Sequence, residues 1–261
     1  MKAWGCLLWL LMAIPVLATE TVPDAFRQSG IKERLGMSLP LQGTLLDATG
    51  SSHRVSSLIS PFKPTILVFA YYTCPMLCNL VLTGLQDAIK ASGPLWADRF
   101  QVLTISIDPS DTPAHALAFQ NQYTKALPNP AQWRFFTGDA ATVRQLADAV
   151  GFGYHYDTRS KEYAHAAGLM FLAPGGVVSR YLYGIEFKKK DFELAILEVS
   201  DRKQVSTFEK VMLFCYNYDP DRRGYAVHAR NLMKVVAALF VLALGTTMWR
   251  LNLKRKEHGN G

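Results

Sequence analysis

Two cysteines, Cys74 and Cys78, stand four positions apart in Tyr72-Thr73-Cys74-Pro75-Met76-Leu77-Cys78. An almost continuously apolar run, Thr65 to Tyr71, precedes them and reads as a central strand buried on both faces. A helix is expected from Pro75 to about Ala91, with Leu77, Val81, Leu85 and Ile89 as its buried stripe. Four residues along a helix is one face, so the spacing projects both sulfurs together. A helix start also carries partial positive charge and favours thiolate over thiol. Thiolates are nucleophiles and soft metal ligands, so the pair allows either metal binding or dithiol–disulfide exchange. A plain structural disulfide would close a very small loop and stabilise the fold little. Met76, two positions from each cysteine, is assigned to packing.

The metal depends on what else is available. A closed zinc site wants four ligands, and no second cysteine pair exists. Two thiolates with one imidazole suit Cu(I), which prefers soft donors. Of the six histidines, His258 and His228 flank the C-terminal apolar run. His53 and His115 read as solvated surface groups. His155 and His165 remain, and His165 sits where the chain enters a hairpin that would lie beside the central strand. Pattern alone leaves its role evenly balanced between ligand and structural group.

Other elements follow from periodicity and turn chemistry. Leu41 to Asp47 and His53 to Leu58 read as a strand pair across Ala48-Thr49-Gly50. Phe100 to Ile107 reads as a second buried strand. Thr112 and Pro113 read as the cap and first residue of a helix to about Lys125. Trp133 to Phe136 should be a short strand and Ala140 to Val150 a helix. Ala167 to Ala173 and Val177 to Tyr183 flank Pro174-Gly175-Gly176 as a hairpin, and Lys189 to Val199 closes the domain as a helix. This order calls for an α/β fold with a mixed central sheet flanked by helices. Asp108 and Asp111 are assigned to turn and cap chemistry before Thr112. Cys215 is a further cysteine with no assigned role.

The chain has 261 residues, an apolar fraction of 49% and a net charge of +7. From Arg222 onward eight basic residues face one acidic residue, so the C-terminal segment carries the whole excess. A balanced domain with a basic end argues against a nucleic-acid-binding face and fits a membrane-proximal segment. Met1-Lys2, an apolar run to Leu17 and the small residue Ala18 form a secretory signal pattern over 1–18, which includes Cys6. A second apolar run, 232–251, ends in Trp249 and Arg250 and is expected to span a membrane. The organisation expected is a linker over 19–37, a domain over 38–200, a juxtamembrane segment over 201–231 and a cytoplasmic tail over 252–261.

Tyr72 to Cys78, then Ser106-Ile107-Asp108-Pro109-Ser110-Asp111-Thr112-Pro113, then His165 before a hairpin: this ordered set resembles the Sco/SenC family over roughly Ser38 to Ser200. The resemblance implies a thioredoxin-like fold and a copper site, Cu(I) and possibly Cu(II), made by Cys74, Cys78 and His165. It implies help in assembling the copper centre of cytochrome c oxidase, by metal delivery or by reducing the recipient's cysteines. Cys74 and Cys78 would then be a redox-active pair able to form a disulfide, and a thiol–disulfide oxidoreductase is the alternative activity. A peroxidase of related fold is a third possibility. Implied partners are the copper-binding subunit of the oxidase, another periplasmic copper chaperone or thiol–disulfide reductase, and the membrane, with no nucleic acid. The expected place is the bacterial inner membrane with the domain facing the periplasm. The sequence departs from the family pattern at Asn79, where many members have proline, and at Ala164, where many have aspartate.

Overall fold

The computed structural model describes residues 29–74 and 76–200, the strands 216–219 and 224–227, and the helix 229–258. The signal pattern, Cys6, most of the linker, Pro75, Cys215 and the end of the tail lie outside the described residues.

Seven strands form one mixed sheet. They are β1 (Thr44–Asp47), β2 (Ser52–Arg54), β3 (Thr65–Ala70), β4 (Gln101–Ser106), β5 (Trp133–Gly138), β8 (Gly168–Ala173) and β9 (Val177–Tyr183), in the order β2-β1-β5-β4-β3-β8-β9. β3, β4 and β5 run parallel, while β8 and β1 join this core antiparallel. β3 lies centrally and every one of its residues is buried. Burying each such aliphatic or aromatic side chain contributes about 1.5–3 kcal/mol, which makes the strand a firm platform for the chain that leaves it.

The helices are α1 (Val55–Leu58), α2 (Leu77–Ser92), α3 (Pro113–Thr124), α4 (Ala140–Ala149) and α5 (Lys189–Val199). The Thr112 hydroxyl accepts from His115 N at 3.4 Å, and Pro113 opens α3 as its residue types predict. α2 buries Val81, Leu85 and Ile89, as the stripe requires. It begins at Leu77, however, later than the expected start at Pro75, so Cys74 lies three positions ahead of it.

Three further readings are corrected. His53 to Leu58 is not one strand: after β2 the chain makes the single helical turn α1. Val55 and Leu58, three apart, are both buried, and the Ser57 hydroxyl donates to Arg54 O at 2.7 Å. His53 is half-buried rather than solvated, its Nε2 2.7 Å from Asp47 Oδ2. The stretch between α4 and β8 contains a separate two-stranded hairpin, β6 (Tyr154–Asp157) with β7 (Glu162–His165), which alternation did not reveal.

Residues 29–39 lie along the domain and are tied to it. Lys32 N donates to Gly151 O at 2.8 Å, Gly36 N to Val178 O at 2.8 Å and Leu39 N to Gly176 O at 2.9 Å. Beyond the domain, β10 (Tyr216–Asp219) pairs with β11 (Gly224–Val227), and α6 (Ala229–His258) is a 30-residue helix. Among the described residues no helix is long and apolar enough to cross a membrane. The expected span, 232–251, overlaps α6, whose described side chains run only from Met233 to Trp249. Within that stretch Val236, Leu239, Phe240, Val241, Leu242 and Leu244 are all exposed.

Candidate metal centre

The carboxyl end of β3 delivers the cysteine loop. Cys74 N donates to Tyr71 O at 3.2 Å, turning the chain as it leaves the strand. Cys78, in the first turn of α2, donates its N–H to the Cys74 sulfur at 3.4 Å. The Cys74 sulfur thus occupies the place of a helix cap, where an acceptor is favoured and negative charge is stabilised. Tyr71 N donates to the Cys78 sulfur at 3.4 Å. Both cysteines are free thiols and both are buried, Cys78 at 1% exposure.

His165 arrives from the end of β7. Its Nε2 lies 3.3 Å from the Cys78 sulfur. Its Nδ1 lies 3.0 Å from Ala166 O. A carbonyl only accepts, so Nδ1 is engaged as a donor and Nε2 is the ring nitrogen turned to the sulfurs. The ring is also packed edge-on to Tyr71, centroids 6.1 Å apart, and against Phe152 at 5.8 Å. No carboxylate orients it from position 164; the Ala166 carbonyl takes that role.

The two thiols are driven apart electrostatically. Cys74 is brought down to about 3, chiefly by the hydrogen bond from the Cys78 thiol, against burial, with help from His165. Cys78 is pushed far up by the same hydrogen bond and by its own burial. The reduced pair is therefore one thiolate solvated by one thiol. Burial, then a hydrogen bond to Cys74, raises the Tyr71 phenol as well. Among the described residues no three His, Cys, Asp or Glu side chains already form a closed metal cage. The Cys78 sulfur and the imidazole nitrogen are in hydrogen-bond contact. A soft ion would take the place of the thiol proton between the donors.

A network below the loop holds it. The buried Asp111 Oδ2 accepts from Tyr72 N at 2.7 Å and from the Ser106 hydroxyl at 2.5 Å, and its Oδ1 lies 3.1 Å from His115 Nδ1. Asp111 is thus a tie to the cysteine loop rather than the turn or cap residue its position suggested. Asp108 does make the turn, accepting from Ser110 N at 2.8 Å. A signal was present in the sequence: Thr112 already supplies the cap, which leaves the Asp111 carboxylate without a local task. Asn79 donates to Cys74 O at 3.1 Å and accepts from the Tyr123 hydroxyl at 2.7 Å, so it braces the loop from the helix side.

The site opens on a cleft of about 580 Å³ lined by Tyr71, Cys74, Met76, Leu80, Tyr163 and His165, among others. Met76 is 69% exposed at its rim and not packed inside, contrary to its assignment. His155 points away from this constellation: it pairs with Ala164 across the hairpin and is exposed.

The SCO1/SenC family profile matches residues 44–196, which is more than half of the chain. The chain belongs to the SCO1/SenC family. No curated protein sequence matches it. Among solved structures it is similar to a putative electron transfer protein from Aquifex aeolicus VF5, at 25% identity and a TM-score of 0.57, over 67% of this chain and 98% of that one. A SCO1/SenC family lipoprotein from Bacillus anthracis str. Ames shares the fold at 16% identity and a TM-score of 0.56, over 66% of this chain and 99% of that one. So does BsSco, described as a Sco-family cytochrome c oxidase assembly protein with a disulfide switch, at 19% identity and a TM-score of 0.52, over 66% and 99% of the two chains. The SCO1/SenC match runs from β1 into α5, and so takes in all three side chains of the constellation.

Proposed function

We propose that this SCO1/SenC chain carries one copper ion on Cys74, Cys78 and His165 and serves assembly of the copper centre of cytochrome c oxidase. The observation that supports it most is Nε2 of His165 facing the Cys78 sulfur at 3.3 Å while Nδ1 is engaged by the Ala166 carbonyl. One nitrogen lone pair and two sulfurs in mutual contact are a donor set for a soft monovalent ion, and copper is the cargo that fits it. The recipient would be the copper-binding subunit of the oxidase. The domain would stand on the periplasmic face of a bacterial inner membrane after removal of 1–18. The span 232–251 would hold it there, since an apolar helix exposed on all sides needs cover that the domain does not give. The reduced chain should bind one equivalent of Cu(I) in competition with a chromophoric chelator, and His165→Ala should weaken binding about a hundredfold. Unchanged affinity in that variant removes the histidine from the site. Protease added to intact spheroplasts should digest the domain and spare the tail.

The thiolate at Cys74 favours a second reading, reduction of a partner's disulfide. The Cys74 thiolate would attack one partner sulfur and release the other as a thiolate. Cys78 would then lose its proton and attack the Cys74 sulfur of the mixed disulfide. The chain ends with a Cys74–Cys78 disulfide and the partner with two thiols, so two electrons have moved. This exchange needs both cysteines and does not need His165 as a ligand. Complementation of a null strain by His165→Ala, with failure of Cys74→Ser, would select exchange over copper delivery.

A further inference from the structure

A second cleft, of about 450 Å³, lies behind the histidine arm. It is lined by Gly30, Lys32, Arg34, Arg144, Asp148, Gly151, Phe152, Gly153, Tyr154 and His155. Phe152 separates the two sites, one face of its ring turned to His165. Three permanent cations meet here against the one carboxylate of Asp148. None of the ion pairs formed among the described residues involves Lys32, Arg34, Arg144 or Asp148. A cluster of like charge is unfavourable on its own, and a dianion would balance the net of two positive charges.

One cation, Arg144, is positioned by its own head group, and the other two stand on anchored main chain. The Arg144 guanidinium lies 3.6 Å over the Tyr154 ring, and Nη1 and Nη2 each donate to Tyr154 O at 3.3 Å. Two of its five N–H groups are so used, and three remain for a ligand. The main chain beneath Lys32 and Arg34 is anchored: Lys32 N donates to Gly151 O at 2.8 Å and Arg34 N donates to the Tyr181 hydroxyl at 2.9 Å. Gly151, at φ +67, permits this closeness, since an added Cβ would lie 1.8 Å from Lys32 O.

We propose that this cleft binds a phosphoryl group carried on a small organic substituent. Forked guanidinium donors suit the oxygens of a phosphoryl dianion, and the volume leaves room for the substituent. A soluble phosphate monoester and the headgroup of phosphatidic acid, itself a phosphomonoester, share this chemistry.

The full chain in neutral, phosphate-free detergent should be titrated with glycerol phosphate and followed by phosphorus NMR line width. Saturable broadening is expected, weakened about tenfold in Lys32→Gln and in Arg34→Gln, whose side chains hold no part of the fold. Arg54→Gln, an exposed cation on edge strand β2, should bind as wild type does. Competition by mixed micelles carrying phosphatidic acid, but not by phosphatidylcholine micelles, would assign the lipid headgroup as the source; no competition by either would assign a soluble monoester. Absence of saturable binding, or equal affinity in all variants, overturns the proposal. The readout needs no copper, so it stands apart from the metal centre.

Discussion

The cysteine arm and the histidine arm reach the same point by different means. Tyr72 to Cys74 leaves the most buried strand of the sheet and is tied by Asp111 and Asn79 to two helices and a neighbouring strand. The stretch carrying His165 is a hairpin whose strands pair only with each other. Its residues Tyr163 to Ala166 are half-buried and Glu162 is exposed. His165 is held by two aromatic neighbours and by its own chain at Ala166 O. The first arm is preorganised, and the second is held weakly enough to open and close over an ion.

The sharpest way to break this comparison is Asp111→Ala. It strands the Tyr72 N–H and the Ser106 hydroxyl in a buried place and should cost about 3–5 kcal/mol in urea unfolding of the reduced chain. A loss below about 1 kcal/mol would show that the cysteine arm is no firmer than the other. Next comes Asn79→Ala, which removes two half-buried hydrogen bonds and should cost about 1–2 kcal/mol in the same assay.

His165→Ala should cost only about 1 kcal/mol of stability, the worth of its ring contacts. A loss as large as that of Asp111→Ala would mean that the histidine arm is equally part of the frame.

The remaining effect is one of pH. The Cys74 thiolate is favoured in the folded chain, with its value near 3 against the ordinary thiol range. Between these values the unfolded chain binds the extra proton, so reduced-state stability should rise with pH from acid toward about 8.5 and level off above it. It is lost as pH falls through the folded value. Urea midpoints of the reduced chain from pH 5 to 8 should rise, and the rise should flatten in Cys74→Ser. The same thiolate predicts iodoacetamide alkylation that hardly slows from pH 8 to pH 5, where an unperturbed thiol slows about tenfold per unit.

Much of the frame was legible from residue types. A short, almost unbroken apolar run rich in strand formers reads as a strand buried on both faces, and Thr65 to Ala70 is that strand. Thr-Pro opens a helix at Pro113, and Pro-Gly-Gly turns the hairpin between β8 and β9. Errors gathered where local signals are short. Val55 to Leu58 fits strand or helix equally over four residues, and packing chose the helical turn. Cys74 and Cys78 looked like neighbours on one helix face, but the helix starts at Leu77 and the Cys74 sulfur caps it from outside.

The types and order of the reacting groups belong to the sequence: two cysteines after the central strand and a histidine far along the chain. Local chemistry fixes such things, because a thiol is soft and a strand of β-branched residues is buried whatever surrounds it. The pairing of His165 with Cys78, across 87 positions, belongs to tertiary structure alone. So does the choice of Nε2 as the open nitrogen, which rests on one carbonyl at Ala166. Contacts between distant segments depend on how sheet and hairpin pack, and no local pattern encodes a distance through space.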